Sequence, residues 1–186
     1  MFHWTNTSMN SQTKVVNVVM AGLGGQGIVK ASDILAGAAH IAGYDVKKSE
    51  IHGMSQRGGS VSSDVRFGSE VFSPMVPAGE ADFLLVCDPT QIDPNRHMLR
   101  EGGELITPDT IPFLAELDNS EEAQRLRRSV NVALLGALSA HVDIAENAWI
   151  EAIHENLPAA VHDLNEEVFR RAQSAERDQI ALTAKR

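Results

Sequence analysis

The sequence predicts an α/β fold: a Rossmann-like three-layer domain with a largely parallel sheet, an inserted hairpin and C-terminal helices. Three observations carry that expectation. An apolar, largely β-branched run from Val15 to Ala21 leads straight into Gly22-Leu23-Gly24-Gly25-Gln26-Gly27, and that into a helical stretch from Ile28 to Ala42. Further runs of strand length recur at Ser60 to Phe67, Phe83 to Cys87 and Glu104 to Thr107. After them, apolar residues return at helix spacing through the last third of the chain.

Val15 to Ala21 reads as a central strand, because only a strand covered on both faces is apolar at nearly every position. The helix after it is rich in small residues, including Ala31, Ala36, Gly37, Ala38 and Ala39, which let it lie close to a sheet. Gly43 is placed to end it. Tyr44 to Lys48 then reads as a second strand, completing a strand–helix–strand unit. Between Ser60 and Phe67, Val61, Ser63, Val65 and Phe67 share one face, and Gly68-Ser69-Glu70 is expected to turn the chain into Val71-Phe72 as a hairpin. Phe83 to Cys87 is a buried strand that ends at Asp88-Pro89. A short helix is expected over Ile92 to Arg100, then a strand over Glu104 to Thr107 after the Gly102-Gly103 break. Val132, Leu135, Leu138 and Val142, then Ile150 and Ile153, mark helices. Pro158 breaks the second of these, and Asn165-Glu166-Glu167 opens a last one. With no internal repeat and no linker, residues 15–186 form a single domain, and residues 1–14 read as a flexible N-terminal extension.

Composition excludes several function classes. A length of 186 residues suffices for a real core, and a net charge of −9 argues against broad nucleic-acid affinity. The basic cluster Arg125-Leu126-Arg127-Arg128 follows Glu121-Glu122 and reads as a solvated helix face. No apolar run approaches the ~20 residues of a membrane helix. No secretion signal is recognisable, so a cytoplasmic protein without a membrane partner is expected. The single cysteine, Cys87, excludes a cysteine-ligated iron–sulfur cluster carried by this chain alone. Within its apolar run, Cys87 is expected to be a buried small hydrophobe.

Two glycine-flanked loops carry the functional signal. Gly22, Gly24, Gly25, Gln26 and Gly27 form a strand-to-helix turn whose free N–H groups favour an anion; the alternative is a tight turn that only permits close packing. The acidic residue that usually follows in a nicotinamide site is replaced by Lys47-Lys48, with Glu50 a little later, and no Walker spacing is present. Ser49 to Ser60 supplies a second loop, with His52, Ser55, Gln56, Arg57, Gly58 and Gly59 as candidate ligand-binding residues. Loops leaving the carboxyl ends of sheet strands converge, so this one is expected to face the first. Arg57 suits a phosphate or a partner's carboxylate. No nucleophile or paired carboxylate stands at a recognisable spacing from His52, so no catalytic residue is assigned. His141, His154 and His162 read as helix-surface residues, and no metal site is expected.

Together the two motifs resemble the gamma-type subunit, or domain, of the 2-oxoacid:ferredoxin oxidoreductases. The similarity begins at Gly22-Leu23-Gly24-Gly25-Gln26-Gly27 and continues through Ser49 to Val61 and Val65-Arg66-Phe67-Gly68. Asn131 to Ala137 is similar to the family's later helix, so the resemblance spans roughly Val15 to Arg171. The form His-Gly-Met-Ser-Gln-Arg-Gly-Gly at His52 to Gly59 is most similar to the small, or beta, subunit of the indolepyruvate:ferredoxin branch. The resemblance implies oxidative decarboxylation of a 2-oxoacid with coenzyme A to acyl-CoA, carbon dioxide and reduced ferredoxin. It implies that a large alpha-type partner holds thiamine diphosphate, magnesium and [4Fe-4S] clusters. This chain then holds no cofactor alone, and ferredoxin accepts electrons from the complex. Coenzyme A is the co-substrate that the glycine loop and Arg57 would help accommodate.

Other readings stay open at this stage. A free-standing NAD(P)-dependent oxidoreductase on the same fold is one, and a pure assembly scaffold whose glycine loop is only a turn is another. An aryl pyruvate is the favoured substrate; 2-oxoglutarate, pyruvate, branched-chain oxoacids and phenylglyoxylate are not excluded. Small and apolar residues on the Asn131–Ala140 helix would allow a homodimer in isolation.

Overall fold

The computed structural model describes residues 14–52 and 58–184. Residues 1–13 of the expected N-terminal extension, and Gly53 to Arg57, lie outside the described residues. The elements run β1 (Val16–Leu23), α1 (Ile28–Ile41), β2 (Asp45–His52), β3 (Ser60–Gly68), β4 (Ala81–Val86), α2 (Ile92–Asn95) and β5 (Leu99–Ile106). They continue with α3 (Pro112–Ala115), α4 (Glu121–Arg127), α5 (Val130–Leu138), α6 (Glu146–Asn156) and α7 (His162–Thr183).

The five strands form one open sheet in the order β2-β3-β1-β4-β5. β1, β4 and β5 pair in parallel, and β3 lies antiparallel between β1 and β2, so four strands point one way and β3 the other. The α/β class, the largely parallel sheet, the inserted hairpin and the C-terminal helices are all present. The hairpin has a different second arm from the expected one. β3 pairs along its length with β2, from Asp45↔Gly68 to His52↔Val61, and with β1 on its other side. No edge of β3 is left for Val71-Phe72, and the Val71 N–H donates instead to Asp45 Oδ2 at 2.8 Å. β2 therefore extends past Lys48 to His52.

The central strands β1 and β4 are buried on both faces, and their alternating side chains sort the core into two. Val18, Met20 and Leu85 pack with α1, α5, α6 and α7 in the main core, around Trp149 and Phe169 with ring centroids 5.5 Å apart. Val19, Ala21, Leu84 and Val86 form a smaller cluster covered by Val76, Ile92 and Met98. The third layer is thus thin: one loop and a few short helical turns. Pro94 lies inside the short α2, where it supplies no N–H to a continuing ladder. β5 accordingly begins at Leu99, and its pairing with β4 shifts register where Gly102 adopts φ +69°.

The helix expected to leave a face free for a second copy is core. All of Asn131 to Leu138 is buried, so α5 offers no dimer surface. α5 sits on α7, which begins at His162, earlier than expected, and runs to Thr183. No helix among the described residues is long and apolar enough to cross a membrane.

Asp82, at the start of β4, holds one end of the sheet. Its buried carboxylate accepts from the Asn17 N–H at 3.0 Å, from Arg100 Nε at 2.8 Å and from Lys14 Nζ at 3.2 Å. Burial alone pushes this carboxyl upward, but those three donors outweigh it and hold the group below its usual range. The folded value is depressed, so the stabilisation is present above the unfolded value and is lost as pH falls through the folded one. Asp82→Ala leaves the buried Asn17 N–H without its acceptor, while Lys14 and Arg100 turn to solvent, and is expected to cost about 1–3 kcal/mol. Urea titration at neutral pH and at acid pH checks this, with the gap between wild type and variant closing in acid.

Candidate functional site

β1 and β4 lie side by side, but the chain leaves β1 toward β2 and leaves β4 toward β5. That divergence opens a crevice at their carboxyl ends, where open α/β sheets bind ligands. Gly25 and Gln26 form one wall. Cys87 lines the crevice too, tied to β1 by its N–H donated to the Ala21 carbonyl at 2.9 Å.

Gln26 is the loop's brace rather than a free ligand arm. Its Oε1 accepts from the Leu23 N–H at 2.8 Å, while its Nε2 donates to Asp88 Oδ2 at 3.1 Å. A single side chain therefore closes the glycine turn and links it across the crevice. The other oxygen of Asp88 accepts from Thr90 Oγ1 at 2.6 Å and from the Thr90 N–H at 3.0 Å. The Thr90 hydroxyl and N–H, helped by the Gln26 amide, hold the Asp88 carboxyl below its usual range.

Each glycine of the loop has its own reason. A Cβ on Gly22 would meet Ile28 Cδ1 at 2.7 Å and Gln26 Oε1 at 2.8 Å, so this position serves packing. Gly24 donates its N–H to the Gly59 carbonyl at 2.9 Å, which brings the Gly58-Gly59 end of the second loop against the first. Gly25 and Gly27 adopt φ +98° and +76°, conformations that side chains resist. Gly58 likewise has φ +83°. His52 ends β2 opposite Val61, while Ser55, Gln56 and Arg57 lie outside the described residues.

At Gly27 the chain enters α1 without a side-chain cap, so the first N–H groups of the helix stay available. The Gly27 carbonyl accepts from Asn131 Nδ2 at 3.1 Å, in the first turn of α5. Sequence reasoning misses Asn131 as a site residue. Its only signal is a lone amide opening an otherwise apolar helix.

Across the crevice stand Arg127 and Arg128, which the charge pattern assigns to a solvated face. They are solvent-exposed, as that pattern expects, and they also line the crevice: Ser120 caps α4, accepting the Ala123 N–H at 3.1 Å, and the basic end of α4 flanks the glycine loop. The resulting cavity, about 510 Å³, is lined by Gly25, Gln26, Cys87, Leu114, Arg127 and Arg128 among others. Its walls thus offer backbone donors, guanidinium groups and an apolar side. Burial, and then the Asp88 charge, push the Cys87 thiol up to about 12. It is therefore neutral and a poor nucleophile at working pH.

One histidine departs from its expected place on a helix surface. His141 is largely buried, with Nδ1 3.2 Å from Glu104 Oε2 and Nε2 3.0 Å from Glu176 Oε1. Donor atoms of these three residues lie within 4.8 Å of one another, a spacing that could hold a metal ion. The two ring nitrogens face different carboxylates, however, so the group reads as a polar tie of β5 to α7 through the His141 ring. His154 and His162 stack, with ring centroids 4.2 Å apart.

The nicotinamide reading loses its geometry here. A dinucleotide-binding unit sets its second strand beside its first, with an acid at that strand's end. In this chain β3 occupies that place, and Lys48 engages both Asp33 and Glu50.

Comparison with known proteins decides the family. The model for pyruvate ferredoxin/flavodoxin oxidoreductase matches residues 17–175. The chain belongs to that family. The indolepyruvate oxidoreductase subunit IorB of Thermococcus kodakarensis is 33% identical, over 91% of this chain and 100% of that protein. The keto/oxoacid ferredoxin oxidoreductase gamma subunit of Geobacter sulfurreducens has the same fold, with a TM-score of 0.70 at 22% identity over 88% of this chain and 97% of that one. The 2-oxoglutarate:ferredoxin oxidoreductase of Magnetococcus marinus, solved with 2-oxoglutarate, coenzyme A and succinyl-CoA bound, gives 0.74 at 22% identity. There the match covers 89% of this chain and 32% of the other.

Within the pyruvate ferredoxin/flavodoxin oxidoreductase family, this chain is a small, IorB-like subunit of the 2-oxoacid:ferredoxin oxidoreductase type. Members of the family work with thiamine diphosphate, coenzyme A and iron–sulfur clusters. The relatives are small subunits of multi-subunit oxidoreductases, which implies a larger partner.

Proposed function

We propose that this chain shapes the coenzyme A side of a pocket in an indolepyruvate- or aryl-pyruvate-type oxidoreductase whose reactive groups belong to the larger companion. In the full reaction a 2-oxoacid, coenzyme A and oxidised ferredoxin give acyl-CoA, carbon dioxide, a proton and ferredoxin carrying the electron pair. Thiamine diphosphate with magnesium stabilises the charge left when carbon dioxide departs, and [4Fe-4S] clusters carry the electrons; both are assigned to the companion. One cysteine in the whole chain fits that division.

The observation that carries this reading is the crevice between the braced glycine loop and the basic end of α4. The uncapped start of α1 and the Arg128 guanidinium suit phosphoryl oxygens. Leu114, Leu117 and Val130 suit the hydrocarbon arm of the same ligand. A thiol held neutral, Cys87, does not exchange with a thioester beside it. A cytoplasmic setting belongs to the same reading, since ferredoxin and coenzyme A are met there.

Calorimetric titration of coenzyme A into the assembled enzyme tests the proposal. Arg128→Ala is expected to weaken coenzyme A about tenfold and to leave the 2-oxoacid KM unchanged. Arg57→Ala tests the second loop in the same way. Unaltered affinity in both variants removes coenzyme A from this crevice.

A further inference from the structure

Phe72, expected in a hairpin arm, stands instead on the loop that joins β3 to β4. That loop crosses the second face of the sheet. Val46, Val61, Val65 and Phe67 turn toward α1 and the main core, so β3 gives Asp64 and Arg66 to the opposite side and β2 gives Ser49 and Ile51. The smaller core on that side is built from β1, β4 and their connections, and among the described residues it takes nothing from β2 or β3.

The loop is braced at every turn. The Val71 N–H donates to Asp45 Oδ2 at 2.8 Å, and the Val76 N–H donates to Asp64 Oδ2 at 2.9 Å. Between them, Arg66 Nη1 donates to the Ser73 and Met75 carbonyls at 3.1 and 3.2 Å. Val71 and Val76 are buried, yet Phe72 is 87% exposed and Met75 57%. Phe72 is the most exposed large hydrophobic residue among the described residues. Single exposed apolar side chains are ordinary, but here two share one fixed loop. Ordering a loop costs conformational entropy, and burying the Asp64 carboxylate costs solvation. Neither Phe72 nor Met75 gains burial from that order within this chain. A side chain presented on an already ordered backbone can give its burial to a partner at little further entropic cost. Phenylalanine and methionine are among the residues enriched where protein partners meet.

We infer that the loop from Val71 to Val76 anchors this chain to its larger companion, with Phe72 and Met75 entering an apolar socket whose rim is basic, opposite the exposed Glu70. The inference rests on the existence of the companion and not on coenzyme A occupying the crevice. In the Magnetococcus marinus protein the matching fold is 32% of one longer chain, so covalent linkage holds the remainder to it. The IorB relative, matched over 100% of its length, is a separate subunit, and there a companion has to be held by surface chemistry. A second copy of this chain fits the face less well. Each copy carries a net charge of −9, and β2, the free edge beside the loop, bears Lys47 and Lys48 at its middle, a guard against edge pairing.

The test uses the complex co-purified through a tag on the companion, with its dissociation constant measured by dilution in sedimentation velocity. Phe72→Ala is expected to weaken the complex about thirtyfold and Met75→Ala about fivefold, while Phe72→Asp prevents its formation. Leu182→Ala, at the exposed end of α7, is expected to leave it unchanged. Thermal unfolding of each isolated variant should match wild type, because these side chains support no core. A wild-type complex that folded Phe72→Asp forms equally well overturns this inference alone. So does a dimer of the isolated chain that Phe72→Asp disperses while companion binding holds. Failure of the wild-type chain to bind any companion overturns the companion reading, and this inference with it.

Discussion

Gly136→Ala is expected to destabilise the domain by about 3 kcal/mol or more, which for a chain of this size lowers Tm by roughly 6–12 °C. The added Cβ would stand 2.3 Å from the Phe169 carbonyl oxygen, 3.0 Å from its carbonyl carbon and 2.9 Å from Ala172 Cβ. The first two belong to the backbone of α7 and cannot rotate away as a side-chain tip would. α5 and α7 must separate, and that unseats Phe169 from Trp149 in the fully buried centre of the main core. Overpacking usually costs about 1–3 kcal/mol, and contact with a helix backbone places this case at or above the top of that range. Thermal unfolding followed by circular dichroism checks it. A loss below about 1 kcal/mol would show that the helix pair slides apart at little cost.

The second large effect concerns the brace across the crevice. Gln26→Glu keeps the acceptor for the Leu23 N–H but sets a carboxylate against Asp88, where an amide donated at 3.1 Å. In the assembled enzyme, kcat/KM for coenzyme A is expected to fall about a hundredfold at neutral pH while the 2-oxoacid KM holds. Adding Asp88→Asn reverses the polarity of the bond. The amide introduced at position 88 then donates to the carboxylate introduced at position 26, its carbonyl oxygen still accepts from Thr90, and most of the lost activity should return. Acid supplies a second rescue of the single variant, because the introduced carboxyl, once protonated, donates to Asp88 as the glutamine did. Wild type shows the opposite trend. Its Asp88 value is depressed, so the brace is complete above the ordinary carboxylate range and is lost only as pH falls through the lowered value. A double variant no better than Gln26→Glu alone would remove the bond's role.

Much of this was legible along the chain. The glycine turn between β1 and α1, the stop at Gly43, and the later amphipathic helices are written in local periodicity and glycine placement. Gly43 does adopt φ +90° at the end of α1. Insertion of β3 between β1 and β2 was not legible, since strand alternation at Ser60–Phe67 gives no partner. The alternation fits an edge hairpin with Val71-Phe72 equally well, and only two full-length ladders settle it. Arg128 illustrates a second limit. A charge run after two glutamates has the pattern of a solvated helix, and its proximity to Gly25 and Gly27 arises from the packing of α4. His141 shows the same limit, because Glu104 and Glu176 reach it from β5 and α7.

Ferredoxin reduction driven by indolepyruvate and coenzyme A, assayed with this chain alone and with the chain co-purified with its larger companion, bears most directly on the assignment. The chain alone is expected to reduce no ferredoxin and to show no visible absorption from a redox centre, while the pair turns over in a coenzyme A-dependent way. Turnover by the isolated chain, or an iron–sulfur spectrum within it, would contradict the assignment of the chemistry to the companion.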